Sequence, residues 1–286
     1  MRVLITGADG ILGRALSTRL AKAHTLFLWG RGEAELTDEA QVRAAAKGIE
    51  FGAIVHAAAM TNVDGCETEP ERAMAANRDA TRIVADLARE RGASIVYVST
   101  DYVFDGTKGS PYLEEDPPRP INVYGRTKLA GEEAARASGA ACLIVRTSWL
   151  FGLGGKNFVD TIATKLGRGE GLEVVDDQRG SPTYASDLAH GIELLLRRGS
   201  EGTVHFTNSG QTTWYGFAVE IGRYLGSSAT ITPTTSDRFM RPAPRPVYSV
   251  LSGARYRALT GETPGPWEEA VHRYLAARKA LAGEAA

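Results

Sequence analysis

Cysteine is scarce in this sequence, since only Cys66 and Cys142 occur among 286 residues and they are far apart. Two thiols are too few for the disulfide framework of a secreted protein of this size, and their spacing fits no metal site. We therefore predict two reduced thiols in a cytoplasmic protein. No other cluster of ligand residues stands out, and we predict no bound metal.

Long apolar runs and a strong net charge are also missing. No run approaches the ~20 residues of a membrane span, and the run after Met1 is too short for a signal-peptide core. The formal net charge of -1 gives no general attraction to nucleic acid or to an anionic membrane. With 43% hydrophobic and 23% charged residues, the sequence predicts a soluble, unprocessed globular protein that binds neither nucleic acid nor membrane.

Apolar segments rich in β-branched residues alternate with amphipathic segments through the first half of the chain. Buried strands are predicted at 3–6, 25–29, 53–58, 94–99 and 141–147. Five such alternations predict an α/β fold, a Rossmann-like doubly wound parallel sheet with right-handed crossovers. A long helix is predicted from Pro70 to about Arg91, and another opens at Asn122.

Beyond about Trp149 the alternation loosens. We predict a dinucleotide-binding Rossmann domain over 1–150, with further elements from about 185–208, and a smaller C-terminal substrate-binding lobe made mainly of 151–286. In this second half we expect helices at 158–167, 187–197, 217–225 and 267–282, strands at 172–175 and 204–207, and a loop rich in proline and arginine at 233–246.

A glycine-rich turn joins the first strand to the first helix, with Gly7, Gly10 and Gly13 three residues apart. Glycine at these positions allows a tight turn, a close approach to a pyrophosphate and close packing of helix on strand, while the helix N-terminus offers free N–H groups. Because the turn lies between a strand and a helix, we predict dinucleotide binding. A tight structural turn is the alternative.

Arg31 follows the second predicted strand. An acid at this position bonds the 2′-hydroxyl of the adenosine ribose, whereas an arginine accommodates a 2′-phosphate. The sequence thus favours NADPH and leaves NADH as the alternative. Arg31 as a solvated loop residue is the other interpretation.

Tyr124 and Lys128 are four residues apart, so on a helix both side chains leave the same face. An ammonium close to a phenol favours the phenolate and brings the tyrosine pKa towards neutrality, as a proton donor requires. Spacing alone would also suit a half-buried ring under a solvated lysine. Thr100 and Asp101 end the fourth predicted strand, where parallel sheets build their sites, and a capping role is their alternative. The long loop 103–120 is expected to cover or shape the site.

These features in this order, Gly7-x-x-Gly10-x-x-Gly13, a strand-end hydroxyl and Tyr124-x-x-x-Lys128, are similar to the extended short-chain dehydrogenase/reductases. Longer segments resemble the dTDP-4-dehydrorhamnose reductase family more narrowly. These segments are 56–64, 99–106, 122–132, 146–151 and 177–183. The resemblance runs from the first strand to the closing helix.

The resemblance implies NADPH-dependent reduction of the 4-keto group of dTDP-4-dehydro-6-deoxy-L-mannose to dTDP-L-rhamnose. Tyr124 would give a proton to the forming alkoxide, and Lys128 would lower the tyrosine pKa and bond the nicotinamide ribose. Thr100 would bond the reacting oxygen, Asp101 would help to hold the sugar, and Trp149 would lie beside the deoxysugar unless it is a core residue. A sugar-nucleotide-binding role for the C-terminal lobe and a homodimer are also implied.

The expected cofactor contacts are Gly7, Gly10, Ile11, Leu12, Gly13, Arg31, Leu36, Ala57, Ala58, Ala59, Thr61, Tyr124 and Lys128. The expected substrate contacts are Thr61, Val63, Thr100, Asp101, Tyr102, Trp149 and Arg245. Guanidinium groups suit phosphate oxygens, and among the arginines of 237–245 we expect Arg245 to bind the diphosphate. Two alternatives stay open: another reductase or epimerase of nucleotide-linked 4-keto sugars, and a non-catalytic nucleotide-binding regulatory subunit.

Overall fold

Six parallel strands form the central sheet of this computed structural model, which describes residues 1–284. In chain order the strands of the described chain are β1 (Arg2–Thr6), β2 (Thr25–Trp29), β3 (Ala53–His56), β4 (Ser94–Thr100), β5 (Cys142–Thr147), β6 (Leu150–Phe151), β7 (Leu172–Val175), β8 (Arg179–Gly180), β9 (Thr183–Tyr184), β10 (Gly202–His205), β11 (Thr212–Thr213) and β12 (Ile231–Thr234). The sheet order is β10-β5-β4-β3-β1-β2, so the direction of winding reverses between β1 and β3.

The described chain has helices on both faces of this sheet and further helices in the core of its second half. They are α1 (Ile11–Leu20), α2 (Glu39–Ala45), α3 (Val63–Thr68), α4 (Pro70–Met74), α5 (Ala80–Glu90), α6 (Val123–Ala137), α7 (Phe158–Gly167), α8 (Ala185–Arg197), α9 (Trp214–Leu225), α10 (Ala254–Thr260) and α11 (Trp267–Glu284). Along β1, Val3 and Ile5 join the core under α1 and α8, whereas Leu4 joins the opposite core under α2 and α5. This alternation follows from the period of two in a strand and explains why parallel strands are apolar on both faces. The doubly wound parallel α/β fold is confirmed.

The helix predicted from Pro70 to Arg91 is interrupted by a π-helical segment, Ala75–Asp79, between α4 and α5. Asn77 in this segment is buried, and its side chain bonds the backbone of Met60 and the hydroxyl of Thr127. A single π turn inserts one residue into a helix and re-aims its side chains. The apolar periodicity predicted the helix but could not show this insertion. Helices α3 and α10 were not predicted.

The second half of the chain adds short paired strands and an aromatic core to the sheet. β7 pairs with β12, β8 with β11, and β6 with β9. Phe151, Phe217 and Trp267 are buried together in the core of this part. The chain returns to the first sheet within 185–208, where β10 pairs with β5 and α8 packs on α1. The domain boundaries themselves stay a prediction.

Candidate active site

The turn after β1 has the shape that a dinucleotide pyrophosphate requires. Gly7 has φ +70°, and a Cβ there would lie 2.6 Å from the Ala58 nitrogen. A Cβ on Gly13 would overlap the Gly7 carbonyl oxygen. Because Gly10, the N-cap of α1, offers no side chain to cap the helix, the first-turn N–H groups point out at the carboxyl edge of the sheet. The turn also lies at the point where the sheet order reverses, which is where such folds bind nucleotides.

The other predicted cofactor contacts surround this turn. Ala57, Ala58 and Ala59 leave the sheet directly after β3 and are half-buried beside Gly7, so the strand is shorter than the predicted 53–58. Ile11 is half-buried at the start of α1. Leu12 points into the core under the sheet, so only its backbone could face a ligand. Leu36 packs at the margin of the opposite core, and Thr61 is exposed.

Two carboxylates that sequence reasoning missed lie at the loop after β2, Glu33 from the loop itself and Asp9 from the glycine-rich turn. Arg31 is exposed, and its backbone N–H donates to Asp9 Oδ2 at 3.2 Å. The Gly30 N–H donates to Glu33 Oε2 at 2.6 Å. Asp9 belongs to the glycine-rich turn and escaped notice because only the residues after β2 were considered for ribose recognition. A cation and two anions therefore share the edge where a 2′-hydroxyl or 2′-phosphate would lie.

Tyr124 and Lys128 both lie on α6, as predicted from their spacing. Asn122 caps this helix, because its Oδ1 accepts the Gly125 N–H at 2.8 Å. The half-buried ring of Tyr124 packs edge-on against Tyr102, with 5.8 Å between the centroids. Lys128 is buried, and its ammonium donates to the Val98 carbonyl at 2.7 Å. The start of α6 is thus fixed against the end of β4.

The pKa of Tyr124 moves in the opposite direction from the one predicted. Loss of water raises its pKa above the ordinary tyrosine value, and a hydrogen bond with Thr100 opposes this shift only in part. Burial also lowers the pKa of Lys128 to about 7, while the charge of Glu132 works in the opposite direction. The sequence suggested an ammonium that lowers the tyrosine pKa. In the structure desolvation is the largest influence on the pKa of Tyr124 and on that of Lys128.

Thr100 and Asp101 lie together at the carboxyl end of β4. The Thr100 hydroxyl donates to Asp101 Oδ1 at 3.0 Å and accepts the Tyr102 N–H at 3.2 Å. Thr100 therefore caps the 3₁₀ turn that follows, which was its alternative role, and it also reaches Tyr124. Burial raises the pKa of Asp101 to about 7, against hydrogen bonds from Ser249 and Thr100. Both side chains are buried within the same site as Tyr124.

A cleft of about 670 Å³ opens next to this site, a size that suits a small-molecule ligand. Of the predicted substrate contacts, Val63, Tyr102 and Arg245 line this cleft. Trp214 and Gln178 also line it and were not predicted. Sequence reasoning offered little signal for Trp214, because an aromatic residue at a helix start resembles a core residue.

Trp149 lies one ring behind the cleft wall. It stacks on Trp214 with 3.6 Å between the centroids and 7° between the planes. Its φ of +47° is rare for a bulky side chain, and such strain concentrates at functional sites. Trp214 in turn donates its indole N–H to Gln178 Oε1 at 3.2 Å. Trp149 thus supports Trp214, which lines the cleft, and its contact with the sugar stays a prediction.

Arg245, the predicted diphosphate contact, is held by a carboxylate. Its two Nη atoms donate to the two oxygens of Asp64, each at 2.8 Å, and its side chain is only 12% exposed. Arg241 lines the same cleft with 57% of its side chain exposed, and its nearest Asp64 oxygen is 4.0 Å away. Arg241 is thus the more accessible guanidinium of the pair.

The loop 103–120 does not line the cleft, so it does not cover it, but Gly106 lies close to Pro246, the neighbour of Arg245. The backbone of Tyr112 pairs with Val250 and Ser252, and Glu114 accepts the His205 N–H. The segment that carries Phe239, Met240 and Arg241 forms the cleft wall instead. The reason is that the apolar side chains of the loop, such as Tyr112, are buried against Phe104 and Leu251.

Within residues 1–284, no group of three or more His, Cys, Asp or Glu side chains is placed to hold a metal ion. No helix in the described part of the chain is both long and apolar enough to cross a membrane.

Comparison with known proteins decides the family. The family model described as RmlD substrate binding domain matches residues 1–280. A dTDP-4-dehydrorhamnose reductase of Streptomyces griseus is 42% identical over 278 residues, which cover 94% of this chain and 91% of that protein. This chain belongs to the dTDP-4-dehydrorhamnose reductase family. The resemblance noted in the sequence is therefore confirmed.

Two further comparisons bear on ligands of this reductase family. A probable dTDP-4,6-dihydroxy-2-methyloxan-3-one 4-ketoreductase of Streptomyces antibioticus is also 42% identical, over 92% of this chain and 90% of that protein. The crystal structure of a dTDP-4-dehydrorhamnose reductase of Bacillus anthracis in complex with NADP matches with a TM-score of 0.92 and 37% identity. It covers 96% of this chain and 98% of that one.

Proposed function

We propose that this chain is an NADPH-dependent oxidoreductase that reduces the 4-keto group of dTDP-4-dehydro-6-deoxy-L-mannose to give dTDP-L-rhamnose. The observation that carries the proposal is the meeting of Thr100, Tyr124 and Lys128 where β4 ends against α6, beside a turn shaped for a pyrophosphate. Family membership supports the same reaction, and it disfavours the non-catalytic alternative.

The residues around the glycine turn fit a nicotinamide dinucleotide. The first-turn N–H groups of α1 would bind the pyrophosphate, since no side chain caps them at Gly10. Arg31 would bind the 2′-phosphate of NADPH, and the relative crystallised with NADP supports this choice. When bound, the nicotinamide supplies the hydride that reduces C4 of the sugar.

The proton comes from the protein. Because the pKa of Tyr124 is raised, its phenol is fully protonated at neutral pH and can donate to the C4 oxygen as negative charge develops there. The Thr100 hydroxyl, buried at the end of β4 beside α6, would bond the reacting oxygen. The buried ammonium of Lys128 would stabilise the phenolate that remains. One hydride and one proton convert the ketone to the alcohol.

The cleft would hold the rest of the substrate. Val63 and Tyr102 would contact the sugar, with Asp101 helping to hold it, and Arg241 and Arg245 would contact the diphosphate. Trp149 would act through Trp214, which it supports by stacking. We propose a cytoplasmic homodimer from the family resemblance alone, and size-exclusion chromatography with light scattering would test the dimer.

A second candidate substrate has a specific observation behind it. Two relatives of equal identity, 42%, carry names with different sugars. Both names describe dTDP-linked compounds, so the alternative is another dTDP-linked 4-keto-6-deoxy sugar. The names thus agree on the nucleotide and leave the sugar to be tested.

The test measures NADPH oxidation with dTDP-, UDP- and GDP-linked 4-keto-6-deoxy sugars. We expect turnover with the dTDP-linked sugars and a loss of roughly 10²–10⁴-fold in kcat in Tyr124→Phe. NADPH binding by fluorescence should be unchanged in that variant. If Tyr124→Phe turned over at the wild-type rate, the proton-donor assignment would be wrong. If the wild type bound NADPH but consumed none with any of these sugars, the proposed reaction would fail.

A further inference from the structure

A buried ion pair lies beneath the proposed catalytic residues and has no role in the reaction as described so far. The carboxylate of Glu132 on α6 is fully buried. Its Oε1 accepts from the Ser99 hydroxyl at 2.6 Å and from Arg146 Nε at 2.8 Å. Its Oε2 accepts from Arg146 Nη2 at 2.7 Å and from Arg136 Nη2 at 3.1 Å. Each carboxylate oxygen therefore has two donors, which is what a buried charge requires.

This pair connects the end of β4 to the catalytic face of α6. Glu132 follows Lys128 by one helical turn. On the strand, Ser99 bonds Glu132, and its neighbour Val98 accepts from the Lys128 ammonium. Two adjacent residues of β4 are thus bonded to two residues of α6 that lie one helical turn apart.

We propose that Glu132 is a positioning residue for the reduction, whose four hydrogen bonds fix α6 against β4 and whose negative charge lies one helical turn from the Lys128 ammonium. The inference rests on the proposed function, because it assigns Lys128 a charge that the reaction uses. Loss of Glu132 would leave a neutral lysine, which cannot stabilise a phenolate on Tyr124.

Among the two tyrosines, the histidine and the glutamate around Lys128, Glu132 is the one with a negative charge. Tyr97 from β4 lies with its ring 4.1 Å from the Lys128 Nζ, and burial raises the pKa of that tyrosine, so it is neutral. His56 from β3 is also buried and neutral, because burial and the lysine charge lower its pKa to about 3. Tyr124 on α6 is protonated. Glu132 supplies the negative charge that opposes the desolvation of Lys128.

The arginines keep Glu132 ionised and partly offset its field. Burial acts to raise the pKa of Glu132, but hydrogen bonds from Arg146 and Ser99 and the arginine charges lower it below the ordinary value. Arg146 is buried, whereas the side chain of Arg136 is 44% exposed. Arg136 can therefore be replaced without leaving a cavity in the core.

Two variants should move the titration of Lys128 in opposite directions. Glu132→Gln removes the negative charge, so the lysine should lose its proton about one pH unit lower, a tenfold change in the equilibrium. Arg136→Gln removes a competing positive charge, so the lysine should titrate higher. The matched control is Glu193→Gln, which removes another buried carboxylate, one on α8 that pairs with Arg19 of α1.

The first readout needs no substrate. The sequence has seven lysines, so protein labelled with ¹³C at lysine Cε gives few signals, and Lys128→Met assigns the one of interest. We expect its titration to move down in Glu132→Gln, up in Arg136→Gln and not at all in Glu193→Gln. A signal that titrates at the same pH in all the variants would overturn the inference.

The second readout is kcat/KM against pH with NADPH and the accepted sugar. The pH at which kcat/KM declines on the alkaline side should shift with the titration of Lys128 in each variant. Melting temperatures that fall in Glu132→Gln while this decline stays in place would mean a structural role only. If Glu132→Gln does not fold, the inference is tested by the Lys128 titration in Arg136→Gln, which should shift upward. A wild type that turns over no keto sugar would refute the proposed function, while the NMR titration would still test Glu132.

Discussion

The ion pair between Asp64 and Arg245 joins the start of α3 to the segment that walls the cleft, and its removal tests that connection. Asp64→Ala would leave a guanidinium that is 12% exposed with only the Ala243 carbonyl as a partner. It would also remove the acceptor of the Ala243 N–H. A charged hydrogen-bonded pair of this kind contributes about 1.5–3 kcal/mol. At about 2–4 °C per kcal/mol for a chain of this size, the melting temperature should fall by roughly 3–12 °C.

The stabilisation from the Asp64–Arg245 pair should decrease as the pH falls. A hydrogen bond from Arg245 holds the pKa of Asp64 below its ordinary value. The stabilisation is therefore complete above the ordinary aspartate pKa of about 4, and it is lost as the pH falls through the lower value of the folded state. The difference in melting temperature between wild type and Asp64→Ala should be constant from pH 7 to pH 5 and shrink below pH 4.

Thermal unfolding followed by circular dichroism between pH 3 and 7 measures this difference. Arg241→Ala is the control, because its guanidinium is 57% exposed and 4.0 Å from the same carboxylate, and it should change stability by less than about 0.5 kcal/mol. Equal melting temperatures of wild type and Asp64→Ala at pH 7, or a difference that grows in acid, would refute the reasoning.

Two predictions concern the cofactor turn. Gly13→Ala places a Cβ on the Gly7 carbonyl oxygen and should abolish NADPH binding or prevent folding, whereas Gly32→Ala, where the space is open, should bind normally in a fluorescence titration. Asp9→Asn removes a negative charge beside Arg31 and should raise the kcat/KM ratio of NADPH over NADH by roughly fivefold, the effect of about 1 kcal/mol between exposed charges. An unchanged ratio would place Asp9 outside the 2′-phosphate site. The same measurement on Glu33→Gln gives the contribution of the second carboxylate.

The sheet was predictable because its signals are local. Val3, Leu4 and Ile5 are all apolar since β1 is buried on both faces, and three closely spaced glycines mark the turn that follows. The Tyr124 and Lys128 spacing is likewise a property of one helix. Such features need no knowledge of distant residues, and the structure shows them within a residue or two of their predicted places.

The walls of the cleft were less predictable because their contacts join distant parts of the chain. Arg245 bonds Asp64 across 181 residues, and no local pattern indicates that an arginine in a proline-rich loop already has a partner. Trp149 stacks on Trp214. Trp214 is the first residue of α9, whereas the sequence predicted that this helix begins only at residue 217. The π turn around Asn77 follows from polar contacts with Met60 and Thr127, which sequence periodicity does not report.

For Tyr124 and Lys128 the spacing predicted their shared helix but gave the wrong direction for the shift of the tyrosine pKa. Spacing suggested an ammonium that lowers the tyrosine pKa, but a buried lysine is itself forced towards neutrality, and burial raises the tyrosine pKa. The phenol therefore starts protonated, and what the lysine must contribute is a charge that is present when the proton leaves. That charge depends on Glu132, so the pH at which reduction slows should report the ionisation of the lysine and not that of the tyrosine.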